Sequence, residues 1–163
     1  MFLSKKKKTP KPALHLGSIY LVVRDFRKSI DFYEKLLGIP LHHENKGRFA
    51  SFCFEGHTIS LLNGIFDAEN PGKVINKGGE EGPDILREIA LAPNTKKFTF
   101  NFYVDDLRAS HKRIKQMRIA EDLSRIKYFR YVAPYYFFSL SDPDGNMIEV
   151  TGSYTPEENE FTE

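Results

Sequence analysis

The sequence predicts an α+β protein assembled from two copies of a strand–helix unit. Three observations carry that prediction. The stretch Ser18–Ser29, SIYLVVRDFRKS, returns as Thr99–Ser110, TFNFYVDDLRAS, at a constant offset of 81 residues. Both copies run from an alternating strand pattern through an acidic residue into a helical stripe. The chain then ends in two aromatic and aliphatic runs separated by Asp142-Pro143-Asp144-Gly145-Asn146, the composition of a tight turn. A unit used twice in 163 residues implies pseudo-twofold architecture, with a cavity or interface between the halves.

The first strand, Ser18–Val23, places Ile19, Leu21 and Val23 on one face and Ser18, Tyr20 and Val22 on the other. Asp25 suits the N-cap of a helix that carries Phe26, Ile30, Tyr33 and Leu37 on one side and stops at Gly38. A short strand is expected near Leu41–Glu44. Arg48–Phe54 and Thr58–Leu62 then form a hairpin about Glu55-Gly56-His57. The first module spans residues 14–63. A connector of residues 64–97 is rich in turn signals, with Ile85–Leu91 as a short helix or strand, and serves either as flexible linkage or as cover for a site or part of a subunit interface. The second module, 98–152, begins with the strand Thr99–Val104. A helix carrying Leu107, His111, Ile114 and Met117 follows, and Tyr135–Leu140 and Met147–Thr151 close it as a hairpin. Residues 1–13 read as a basic tail and 153–163 as an acidic one.

Composition narrows the function. A hydrophobic content of 40% and a charged content of 28% fit a globular domain, and a net charge of +2 is too small for a nucleic-acid binder. Cys53 is the only cysteine, which excludes an intrachain disulfide and a cysteine metal cluster and suits a reducing cytoplasm. No apolar signal-peptide core follows the basic start, and no apolar run reaches membrane-spanning length. With 14 Phe and 8 Tyr, many of them in strands, the chain has flat side chains enough to pack a core and line a cavity.

Three segments carry a family resemblance: Tyr20–Gly38 (YLVVRDFRKSIDFYEKLLG), Phe102–Ser110 (FYVDDLRAS) and Ser141–Val150 (SDPDGNMIEV). Together they resemble the vicinal oxygen chelate superfamily, which includes glyoxalase I, extradiol dioxygenases and the fosfomycin- and bleomycin-resistance proteins. The resemblance covers roughly Leu14–Gly152, with the connector unmatched. It implies two βαβββ modules whose sheets curl into a half-open mixed β-barrel with flanking helices. It also implies a homodimer, with pockets at a subunit or module junction.

In metal-dependent members, ligands project from the first and last strands of each module. Carried onto this sequence, those places resemble Ser18, Ser60, Thr99 and Glu149. Only Glu149 is a usual ligand, because divalent cations are held by carboxylates and imidazoles rather than by neutral hydroxyls. No cofactor is therefore expected, although a divalent metal held by displaced ligands stays open. None of His15, His42, His43, His57 and His111 forms a His-x-x-x-His pair. The last-strand Glu149 is either an ordinary polar strand residue or a cavity carboxylate, a base or a partner for a cationic ligand. Buried among Tyr and Phe, such a carboxylate is held above its ordinary pKa and suits proton transfer. Asp142–Asn146 reads first as a turn, and Cys53, between Phe52 and Phe54, as a quiet small hydrophobe.

The sequence reading is thus a metal-independent small-molecule binder, without nucleic-acid or membrane partners. Its pocket is lined by Ser18, Tyr20, Ser60, Thr99, Asn101, Tyr103, Tyr135 and Phe137, with Asn101 and Glu149 orienting the ligand. The alternative is a metal-dependent lyase or dioxygenase in which Glu149 joins His42, His43 or His57. A third reading, an interaction module using the basic tail and connector, finds nothing in the strands to support it.

Overall fold

The computed structural model describes residues 19–70, 83–94, 98–130, 134–157 and 160. The basic tail, with Ser18, and parts of the connector and of the acidic tail lie outside the described residues. The first module contains β1 (Ile19–Val23), α1 (Phe26–Leu37), β2 (His43–Asn45), β3 (Phe49–Phe54) and β4 (His57–Asn63). The connector contributes α2 (Phe66–Glu69) and α3 (Pro83–Leu91). The second module contains β5 (Thr99–Val104), α4 (Leu107–Met117), β6 (Lys127–Arg130), β7 (Pro134–Ser141) and β8 (Met147–Gly152).

Each module forms its own four-stranded mixed sheet, in the order β1-β4-β3-β2 or β5-β8-β7-β6, and the two sheets do not close into a barrel. Repetition extends to the pairing. The parallel β1–β4 ladder sets Tyr20 against Ser60, and the parallel β5–β8 ladder sets Asn101 against Glu149, so equivalent strands carry equivalent rows.

Both long helices begin as the repeat requires. The Asp25 carboxylate accepts from the Lys28 amide at 3.0 Å, and Asp106 accepts from the Ala109 amide at 2.9 Å. Gly38, at φ 69°, ends α1, and its amide donates to Glu34 O. The apolar strand faces meet these helices in one continuous core. Val23, Tyr33, Phe52 and Leu61 are fully buried from the first module, as are Leu107, Phe138 and Ile148 from the second. That burial is the main stabilising term.

Polar contacts on two sides fasten the modules together. Arg113, on α4, donates to Lys35 O and Leu36 O, both at 2.9 Å, and so satisfies carbonyls that α1 leaves open at its end. On the other side the Asp142–Asn146 turn grips α1. The Asp142 carboxylate, 6% exposed, accepts from the Tyr33 hydroxyl at 2.8 Å, the Asn146 side-chain amide at 2.8 Å, and the backbone amides of Asp144 and Asn146. Asp144 in turn accepts from the Arg24 amide at 3.1 Å.

Three features depart from the sequence reading. The short strand expected near Leu41–Glu44 falls at His43–Asn45. The ambiguous Ile85–Leu91 belongs to helix α3, which packs on β1 and α2. Strand β6 completes the second βαβββ module that the resemblance implies, at residues the strand pattern did not locate.

Candidate functional site

Because strands alternate, the residues left over from the core line the opposite face of each sheet. On sheet two that face carries three rows set by register. Thr99 stands against Met147 and Ser141. Asn101 stands against Glu149 and Ser139. Tyr103 stands against Thr151 and Phe137, with Lys127 beyond. Six of the residues expected from the sequence therefore share this face: Thr99, Asn101, Tyr103, Tyr135, Phe137 and Glu149.

The polar centre of this face is a pair. The Asn101 side-chain amide donates to Glu149 Oε1 at 2.8 Å, and Glu149 is half-buried. Oε2 of Glu149 has no hydrogen-bond partner among the described residues, so one carboxylate oxygen is held in place and the other is free to accept from a ligand. Burial, and then the Glu149 charge, hold the Tyr135 phenol above its ordinary pKa, which keeps it a neutral hydroxyl near the carboxylate.

Around the pair lies an aromatic surface. The Tyr135 and Phe137 rings stand 5.6 Å apart, and Phe129 meets both edge-on, at 5.9 Å and 6.3 Å. The Tyr103 side chain is 69% exposed and Phe129 44%. Along the β5 edge a cavity of about 740 Å³ opens between the modules. Asn101 and Tyr103 line it together with Phe54, His57 and Arg113, a volume within the range of small-molecule sites.

Sheet one presents a different face. Tyr20 is 60% exposed on edge strand β1, whereas its neighbour Ser60 is buried beside Ser51. Near Val22 the connector occupies this face. A Cβ on Gly64 would come within 2.7 Å of Val22 Cγ1 and Leu86 O and 2.6 Å of the Ala90 Cβ, so only glycine lets α3 settle so close. Tyr20 and Ser60 thus stand on a separate sheet from the Asn101–Glu149 group. Thr99 is exposed at the start of β5, and Ser18 lies outside the described residues.

The residues at the family's metal-ligand places do not fit a divalent cation. Ser60 and Glu149 do occupy equivalent register positions, but Ser60 and Thr99 offer neutral hydroxyls, and one Glu149 oxygen is already taken by Asn101. Among the described residues no group of three or more His, Cys, Asp or Glu is placed to hold a metal ion. The half-buried imidazole of His111 donates to Ser124 O at 2.8 Å and lies edge-on to Phe138, so it is satisfied within the protein.

Sequence reasoning missed Phe129, because it missed β6. The signal was present in the alternation of Ile126 and Tyr128 with Lys127 and Phe129.

This paired-module fold agrees with the comparisons to known proteins. Residues 15–150 match the model of the Glyoxalase/Bleomycin resistance protein/Dioxygenase superfamily, and the chain belongs to that family. It is 27% identical to the uncharacterized protein YraH of Bacillus subtilis (strain 168) over 147 residues, 84% of this chain and 97% of that one. The fold is similar to that of lactoylglutathione lyase from Agrobacterium tumefaciens, with a TM-score of 0.55 at 21% identity, covering 88% of this chain and 96% of that one. A glyoxalase/bleomycin resistance protein from Albidiferax ferrireducens T118 gives a TM-score of 0.56 at 19% identity, covering 85% and 98%. Among the described residues no helix is long and apolar enough to cross a membrane.

Proposed function

We propose that this chain is a metal-independent small-molecule binding protein of the glyoxalase/bleomycin-resistance type, acting in the cytoplasm as a homodimer. The observation that carries the reading is the Asn101–Glu149 pair set into an exposed aromatic face beside a 740 Å³ cavity. Apolar and stacking contacts with Tyr103, Phe129, Tyr135 and Phe137 supply affinity, while Glu149 Oε2 selects a ligand with a hydrogen-bond donor or a cationic group. Tyr20 and Tyr103 stand exposed on the edge strands of their sheets, and a second copy that covers them completes the enclosure.

The neutral Ser60 and Thr99 hydroxyls support independence from metal. The purified protein is expected to hold no stoichiometric divalent metal, and its Tm to move by less than about 1 °C when EDTA is added. A stoichiometric metal, with a fall of several degrees on chelation, overturns the reading in favour of lyase or dioxygenase chemistry with Glu149 joined by His42, His43 or His57.

A further inference from the structure

A second cavity, about 1090 Å³, lies not at the aromatic face but on the other side of sheet two, between α4 and the chain leading into β6. Its rim is cationic. Arg108, Lys112 and Lys115 lie at i, i+4 and i+7 of α4, hence on one helix face, spread over about 10 Å at 1.5 Å per residue. Arg125 adds a fourth cation from the facing segment, with Tyr128 beside it, 45% exposed. Lys127 also borders the cavity, but its Nζ leans toward the Phe137 ring, at 6.0 Å.

This stripe does not follow from the internal repeat. By the 81-residue offset, Arg108, Lys112 and Lys115 correspond to Arg27, Asp31 and Glu34 of α1, a face of mixed sign. The basic groove belongs to module two alone.

One end of the groove already holds anions. The Arg108 guanidinium pairs with Glu157 at 3.1 Å and Glu160 at 3.3 Å, and it stacks on Tyr154, 4.7 Å from the ring centre. Tyr154 also donates a hydrogen bond to Glu160. That hydroxyl first, then the Glu157 amide, holds Glu160 below the usual carboxylate range, so the clamp is charged at neutral pH. Glu157 and Glu160 thus occupy this end of the groove as pseudo-ligands. Among the described residues the two glutamates pair with Arg108, and Lys112, Lys115 and Arg125 form no ion pair.

From this arrangement we infer a second ligand site, a groove for an oligophosphate-bearing small molecule, with the chain's own Glu157 and Glu160 as its competitors. Charge density selects the ligand class. Glu157 and Glu160, three residues apart, meet a single guanidinium. Four cations around one concavity are matched by a ligand that packs several anionic groups into a short length. Guanidinium and ammonium groups bind phosphate oxygens through charge-assisted hydrogen bonds. This site is independent of the aromatic face, and neither stands or falls with the other.

Calorimetric titration of the full chain with sodium tripolyphosphate, at ionic strength held constant with NaCl, tests the assignment. The wild type is expected to bind saturably, and far more tightly than inorganic monophosphate. Lys112→Gln with Lys115→Gln, both exposed, is expected to weaken binding by about tenfold or more, the scale of one charge-assisted contact. Glu157→Gln with Glu160→Gln is expected to tighten it by about threefold, the scale of an exposed ion pair released from competition. A nucleoside triphosphate arm separates the sources: binding tighter than tripolyphosphate marks a nucleotide stacked on Tyr128, and equal binding marks the phosphate chain alone. No saturable heat beyond the NaCl control overturns the inference. So does unchanged affinity in the double lysine variant, or tighter binding of a glutamate-rich peptide than of tripolyphosphate.

Discussion

Replacing Asp142 with leucine is expected to destabilise the fold by about 4 kcal/mol, because four donors then lose a buried acceptor at once. The Tyr33 hydroxyl and the Asn146 side-chain amide are the donors that suffer most, since neither has a second acceptor among the described residues. The Asp144 and Asn146 amides belong to the turn itself, so the turn loosens and releases its hold on Arg24. Tyr33→Phe removes a single donor and is expected to cost about 1 kcal/mol. Urea unfolding midpoints separate the two, and equal small shifts for both variants contradict this role for Asp142. The same pair predicts a pH dependence. Burial, then the neighbouring Asp142 and Asp144, raises the Tyr33 phenol far above its ordinary value. Above about pH 10 the unfolded chain releases this proton while the folded chain keeps it, so stability is complete below pH 10 and falls as the pH rises. The tyrosines at 135 and 154 shift in the same direction, so Tyr33→Phe flattens that fall without abolishing it.

Gly152→Ala is expected to cost about 3 kcal/mol and to disturb the candidate site from a distance. At this position β8 runs parallel to β5 with Gly152 against Val104. An added Cβ would stand 2.1 Å from Val104 O and 2.9 Å from Val104 Cγ2. The oxygen is backbone, so relief requires β5 to move. That same ladder sets Asn101 beside Glu149, three residues upstream. Unfolding midpoints read the stability loss, and the side-chain amide resonances of Asn101 read the site. A stable variant with unmoved Asn101 signals contradicts the close packing at this strand end.

What the sequence made legible was local and periodic. The alternation of Ile19, Leu21 and Val23 with Tyr20 and Val22 assigned strand faces correctly, and the 81-residue repeat located both capped helices. Two features escaped for physical reasons. Strand β6 is only four residues long at a sheet edge, and Lys127 and Arg130 interrupt its apolar pattern. Helix α3 covers sheet one because Gly64 admits Ala90, a contact between residues far apart in sequence that no periodicity records. The aromatic face was legible in part, since Tyr135 and Phe137 fell on a foreseen strand. The Asn101–Glu149 bond needed the β5–β8 register, and the grip of Asp142 on Tyr33 needed the docking of one module on the other.

The most direct test of the ligand site is native mass spectrometry of protein purified from cells without added ligand, beside the double variant Tyr103→Ala with Phe137→Ala. Both side chains lie on the face turned away from the core, so the variant is expected to fold. The wild type is expected to appear as a dimer carrying a small-molecule adduct that survives EDTA and is lost in the variant. A wild-type protein with no adduct, or one whose adduct persists in the variant, contradicts an aromatic small-molecule site on sheet two.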